Sequence, residues 1–139
     1  MIGGTMKSLL RQYGPSLLSG ALLASAFPKW GLHPAAWITL VPLLVQSRGA
    51  SPKQAFGRFL FAGWAFNALL LHWLAANVYW AGGWAFFGYQ VLCLILALFW
   101  GMTGMAWALL RVRMPWAGGG VGFALLWAAM EFLQAHLFS

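Results

Sequence analysis

The placement of charge limits the fold of this chain more than any other feature. Its eight cations, Lys7, Arg11, Lys29, Arg48, Lys53, Arg58, Arg111 and Arg113, nearly all flank long apolar runs, and its one acidic residue, Glu131, lies inside such a run. Of 139 residues, 63% are apolar and 6% charged, against about 25% charged in an ordinary soluble domain. Burying so much Leu, Ala, Phe and Trp in a water-exposed fold would leave too few polar side chains for its surface. The expected solvent is therefore the bilayer, and one domain over residues 1–139 is the natural count at this length.

A spanning helix takes about 20 mostly apolar residues. Five runs of that order, bounded by charge, Pro or Gly, cover 9–27, 32–46, 59–79, 84–110 and 121–138. The expected fold class is thus an all-α integral membrane protein of about five short transmembrane helices. Pro28 and Lys29 stop the first run, while Pro34 and Pro42 shorten or kink the second. The fourth is long enough to tilt, and the fifth begins after Gly118, Gly119 and Gly120.

Cations are retained on the cytoplasmic side of short loops. With a cytoplasmic N-terminus, Lys7, Arg11, Arg48, Lys53, Arg58, Arg111 and Arg113 all fall inside and only Lys29 outside, which leaves the C-terminus facing outward. A cleaved signal peptide is the rival reading of the first run, on the pattern Ala24-Ser25-Ala26. A retained anchor is favoured, because removal would misplace the second span relative to the Arg48 to Arg58 cluster. Trp30, Trp37, Tyr79, Trp80, Trp84 and Trp116 stand near span ends, where amphipathic rings prefer to sit. The formal charge of +7 does not indicate nucleic acid, since the cations are spread between apolar runs instead of gathered on one face.

Candidates for chemistry are few. Glu131, midway along the fifth run, is costly in a bilayer and marks either a functional group or a hydrogen-bonded structural one. His72, Asn77 and Tyr79 form a polar cluster at the outer end of the third run, although His72 and Asn77 are about 140° apart on a helix. His136 is as poorly aligned with Glu131. Three scattered His and one Glu lack metal-ligand spacing, so neither metal nor cofactor is expected. Cys93 sits among Val91, Leu92, Leu94 and Ile95, a setting for packing and not for a thiolate. The Gly118 to Gly122 stretch lacks the Lys-Ser/Thr ending of a phosphate loop. Gly101 with Gly104, and Gly20 with Ala24, offer small surfaces for close helix approach. No catalytic triad or carboxylate pair can be assembled, so the chain reads as a scaffold or binding surface.

The ordered segments Gly20-Ala-Leu-Leu-Ala-Ser-Ala-Phe-Pro28, Gly31-Leu-His-Pro-Ala-Ala-Trp-Ile-Thr-Leu-Val-Pro-Leu-Leu44, Ala50-Ser-Pro-Lys-Gln-Ala-Phe56, His72-Trp73-Leu74 with Gly82-Gly83, and Leu125-Leu-Trp-Ala-Ala-Met-Glu-Phe-Leu133 together resemble the N-terminal transmembrane region of bacterial apolipoprotein N-acyltransferase. The resemblance covers nearly the whole chain. It implies a multi-pass protein of the bacterial cytoplasmic (inner) membrane, with a periplasmic C-terminus. It also implies transfer of an acyl chain from phospholipid to the N-terminal diacylglyceryl-cysteine of lipoproteins. The family's Glu-Lys-Cys triad resides in a nitrilase-like domain that does not map onto this chain, so no catalytic residue is assigned. A truncated, inactive membrane half is expected, with the missing catalytic domain as a partner. His72 stands where the family tends to have Asn, and Ala75 near a frequent aromatic position. Glu131 and Trp127 match the family and carry over as organising residues, and His72, Trp73, Asn77 and Tyr79 are the other groove or structural candidates. The alternative is a small stand-alone membrane protein that binds lipid or a partner, or an oligomeric conduit using Glu131.

Overall fold

The computed structural model describes residues 2–26, 36–77, 80, 82–114 and 119–137. Its elements are α1 (Ile2–Ser25), α2 (Ala36–Thr39), α3 (Val41–Ser47), α4 (Pro52–Leu70), a 3-10 helix (His72–Asn77), α5 (Gly83–Arg113) and α6 (Gly120–Leu137). Among the described residues there is no strand. The all-α expectation therefore holds.

Side-chain partners fix the relative directions of the helices. Tyr13 of α1 lies against Phe61 of α4, and Gly20 against Ala62, so α1 and α4 run the same way. Phe59 faces Trp107 while Trp64 Nε1 donates to Gln90 Oε1 at 3.1 Å, which sets α5 antiparallel to α4. Trp107 meets Phe123 and Trp100 meets Trp127, so α6 turns back again. The resulting bundle has one end at Gln12, Ser47, Arg58, Arg111 and Gly120, and the other at Ser25, Leu70, Gly83 and His136.

Helices α5 and α6 are long and apolar enough to cross a membrane. The face of α5 turned into the bundle carries Cys93, Ala97, Trp100, Gly104 and Trp107, while Val91, Leu94, Leu98, Met102 and Leu109 are exposed on the other side. A helix that is apolar all round needs either complete burial or an apolar solvent. Burial is not complete, so lipid is the consistent surrounding. Cys93 is fully buried, a helix-facing packing residue as its neighbours suggested.

Each departure from the expected spans has a local cause. The first expected run, 9–27, begins earlier, at Ile2, and α1 continues through Pro15. Pro15 has no N–H to give to Arg11 O, and one residue farther on Gln46 Nε2 donates to Gln12 O at 2.5 Å. The second run, 32–46, divides into α2 and α3, with 32–35 outside the described residues. Leu40 at the start of α3 has no capping side chain and Pro42 no N–H; the Leu43 N–H is taken instead by Ser19 Oγ of α1 at 3.1 Å. The third run, 59–79, starts at Pro52 because Ser51 and Gln54 form a reciprocal capping box around a proline in the first turn. It also ends earlier, at Leu70, where Leu74 N bonds Leu71 O in the tighter 3-10 pattern. Helices α5 and α6 overlap the fourth and fifth runs to within three residues at each end. Gly82, at a φ of 69°, lets the chain turn into α5.

Small residues set the distance between α4 and α5. A Cβ placed on Gly63 would stand 2.7 Å from Trp100 Cγ, one on Gly104 2.5 Å from Phe59 Cγ, and one on Gly101 2.8 Å from Phe56 Cε2. Gly→Ala in an open helix position gains up to about 1 kcal/mol, whereas forcing atoms into a packed contact costs roughly 1–3 kcal/mol. Accordingly Gly63→Ala and Gly104→Ala should lower the unfolding midpoint in detergent. Gly88→Ala, whose Cβ meets nothing within 4 Å, should leave it unchanged or raise it.

Candidate functional site

Glu131 and Trp127 lie one turn apart on α6, and Trp127 Nε1 donates to Glu131 Oε1 at 2.9 Å. The indole is fixed from its other sides. Trp100 meets it edge-on at 4.7 Å between ring centres, and Phe123 packs at 5.6 Å. Trp100 is itself stacked on Phe66 at 5.2 Å. An aromatic chain across α4, α5 and α6 thus aims one indole N–H at the only acidic side chain of the sequence.

The pair borders a cleft of about 470 Å3 with apolar walls that include Leu23, Leu40, Phe66 and Met130. Its polar lining is Asn67, Glu131 and Gln134. Asn67 is buried and donates through Nδ2 to Gly63 O at 2.8 Å. Among the described residues, neither Cys93 nor a histidine lines this cleft. What it offers is hydrogen bonding in an apolar setting, suited to holding a polar group at membrane depth and without a nucleophile of its own.

The other expected site residues are placed elsewhere. His72 Nδ1 lies 2.7 Å from Leu69 O, so the ring donates to the end of α4; it lines a separate apolar cleft of about 450 Å3 with Ala21, Ala24, Ser25 and Leu69. Trp73 is 59% exposed. Asn77 closes the 3-10 helix, and Tyr79 lies outside the described residues. His136 donates to Phe132 O and packs on the Phe132 ring, 4.0 Å between centres. The structure therefore brings Glu131 and Trp127 together and does not join them to His72 or Trp73. Among the described residues no group of His, Cys, Asp or Glu could hold a metal.

Sequence reasoning passed over Asn67 and Gln134, although an amide inside an apolar helix is itself a signal. It also read the arginines as flanking charges, for topology and anionic-lipid contact, and not as donors to the backbone. Arg58 Nη1 donates to Gln46 O at 2.5 Å, and Arg111 donates through Nη2 to Ser47 O at 2.8 Å and through Nη1 to Arg48 O. The carbonyls of Gln46 and Ser47 at the end of α3, and of Arg48 just beyond it, are thereby tied to α4 and α5. The Arg111 guanidinium also lies 4.2 Å from the centre of the Trp107 ring.

Comparison with known proteins agrees with this bundle. Residues 19–139 match the model of the family described as Apolipoprotein N-acyltransferase N-terminal domain. Among similar curated proteins, the apolipoprotein N-acyltransferase of Geobacter metallireducens is 40% identical over 68 residues, 49% of this chain and 13% of that protein. The enzyme of that name from Pasteurella multocida is 26% identical over 134 residues, 96% of this chain and 26% of that protein. The one from Nitrosomonas europaea is 33% identical over 126 residues, 86% of this chain and 25% of that protein. The chain thus spans about a quarter or less of the length of these relatives. With the family's match running from the middle of α1 to the end of the sequence, this chain belongs to the apolipoprotein N-acyltransferase N-terminal domain family.

Proposed function

We propose that this chain is the membrane-embedded portion of an apolipoprotein N-acyltransferase, crossing the bacterial inner membrane five times with its N-terminus in the cytoplasm and its C-terminus in the periplasm. The observation that carries the reading is the family match over residues 19–139. The alternating helix directions and the gathering of Arg48, Arg58 and Arg111 at one end support the orientation. A reporter that is active only outside the cytoplasm should work when fused after Ser139, and one that needs the cytoplasm when fused after Lys53. The opposite pattern would sink the five-span topology.

In this reading the chemistry is a two-step acyl transfer. An acyl–oxygen bond of a phospholipid is exchanged for a thioester on a catalytic cysteine, and the thioester is then exchanged for an amide on the lipoprotein's diacylglyceryl-cysteine. Both steps belong to a nitrilase-like domain whose Glu-Lys-Cys triad does not map onto residues 1–139. The helices hold that domain at one height on the bilayer, where both lipid substrates arrive, and so act through proximity. Glu131 and Trp127 are positioning residues on α6. His72, Trp73 and Asn77 belong to the outer end, near the lipid surface.

The 139-residue chain alone should give no N-acylation of a diacylated lipoprotein in phospholipid micelles. A fusion that places the remainder of the Pasteurella multocida relative after Ser139 should give product. Activity of the short chain would overturn the division of labour. Trp127→Phe in that fusion removes the indole donor but keeps the aromatic packing. Losing one hydrogen bond, about 0.5–1.5 kcal/mol, should lower its thermal midpoint and its acylation rate together. A midpoint indistinguishable from the parent's would remove the structural role given to this pair.

A further inference from the structure

The bundle end opposite His136 carries a third cleft, of about 500 Å3, whose chemistry differs from that of the Glu131 cleft. Leu44, Trp107 and Phe123 form its apolar floor, Arg48 and Arg111 its cationic side, and Gly119 and Gly120 bring in the start of α6. We propose that this cleft binds a phosphate group bearing net negative charge, carried as the headgroup of an anionic phospholipid. The proposal is independent of acyl transfer. Gly120 and Glu131 are eleven residues apart on α6, about 16 Å at the rise of an α-helix, so this cleft and the Glu131 cleft lie at different depths.

Three observations point to an anion. First, Arg111 is held rigidly, with two carbonyls of α3 accepting from its terminal nitrogens and the Trp107 ring beneath it, while its Nε is buried without a hydrogen-bond partner. A guanidinium so fixed presents its remaining N–H groups with little entropy left to lose. Second, no acidic side chain is available to neutralise it or Arg48, because the only one in the sequence is Glu131, already bonded to Trp127. Third, Gly119 and Gly120 put the N-terminal turn of α6, the positive end of its dipole, at the edge of the cleft. Glycines there supply no capping side chain.

The apolar floor selects the form of the anion. Leu44, Trp107 and Phe123 continue into the aromatic and aliphatic core with Phe59. A ligand with a phosphate at the rim and hydrocarbon below satisfies both parts of the cleft, and arginine forks suit phosphate oxygens. A phosphatidylglycerol headgroup fits this description. Phosphatidylcholine, whose own cation offsets its phosphate, fits it less well.

The test uses the full 139-residue chain in a neutral detergent, titrated with phosphatidylglycerol or with phosphatidylcholine of the same acyl chains and read by native mass spectrometry. One phosphatidylglycerol should be retained, with half-saturation about tenfold lower than for phosphatidylcholine, the size of one charge-assisted contact. Arg48→Gln should abolish that difference, since it removes the side chain but leaves the carbonyl that Arg111 grips. Gly120→Asp, where a new Cβ meets nothing within 4 Å, should also abolish it by supplying an internal anion, without lowering the thermal midpoint. Inorganic phosphate in millimolar excess separates the sources: failure to displace the lipid assigns the site to the headgroup, and displacement assigns it to phosphate of either origin. Equal retention of the two lipids by the parent chain, or an undiminished preference in both variants, would overturn the proposal.

Discussion

The contact between α4 and α5 is the one on which the rest of the bundle depends. In lipid there is no hydrophobic gain from bringing two apolar helices together, because the tails are as apolar as leucine; close packing and interhelical hydrogen bonds have to do it. Gly63 receives Trp100, Gly104 receives Phe59 and Gly101 receives Phe56, so a small residue faces a large ring at three levels. Two polar bonds lie at the far end of the same seam, from Trp64 to Gln90 and from the Tyr89 hydroxyl to Ala68 O. Helices α1, α3, α6 and the 3-10 helix pack against this pair, and α2 packs on α1. Helix α1 reaches it through Gly20 against Ala62, and α6 through the ring contacts of Trp100 and Trp107.

Polar side chains inside the bundle mostly serve the backbone. A helix broken by proline, or ended within the membrane region, leaves N–H and C=O groups that no water can satisfy. Ser19 answers the Leu43 N–H, Arg58 and Arg111 close the end of α3, and Gln46 ties α3 to α1 through Gln12 O. Ser16 completes the set by donating to Gln46 Oε1 at 3.1 Å. These bonds explain how a short second segment, divided in two, can persist between longer helices: it is held by side chains of its neighbours and not by its own length.

The helical class and both helices after Gly82 were legible in the sequence because each is a long apolar run bounded by glycine or arginine, and that signal is local. The ends of the third run were not. A capping box at Ser51 and Gln54 extends α4 into polar sequence that hydropathy assigns to a loop, and the turn to 3-10 geometry at His72 occurs inside sequence that is still apolar. Glu131 stood out as the one acidic residue of an apolar run, and Trp127 entered through the family resemblance. The grouping of Asn67 with Glu131 and Gln134 could not be read off in this way, since it requires knowing that α4, α5 and α6 meet there. The same holds for the arginines. Spacing identified Arg58 and Arg111 as flanking charges, while their grip on α3 depends on contacts across twelve and sixty-four residues.

The chain thereby divides its charge by depth. One end holds arginines whose positive charge is fixed by carbonyls and an indole and opposed by no carboxylate, whereas the one carboxylate sits halfway down α6 against Trp127. Exchanging these arrangements would fail physically. A carboxylate among the α3 carbonyls would meet only acceptors, and an arginine at position 131 would face an indole N–H that can only donate. The sign of charge at each level is thus set by which backbone and ring groups the helix breaks leave unpaired. That is why a sequence with a single acidic residue still specifies two chemically distinct clefts.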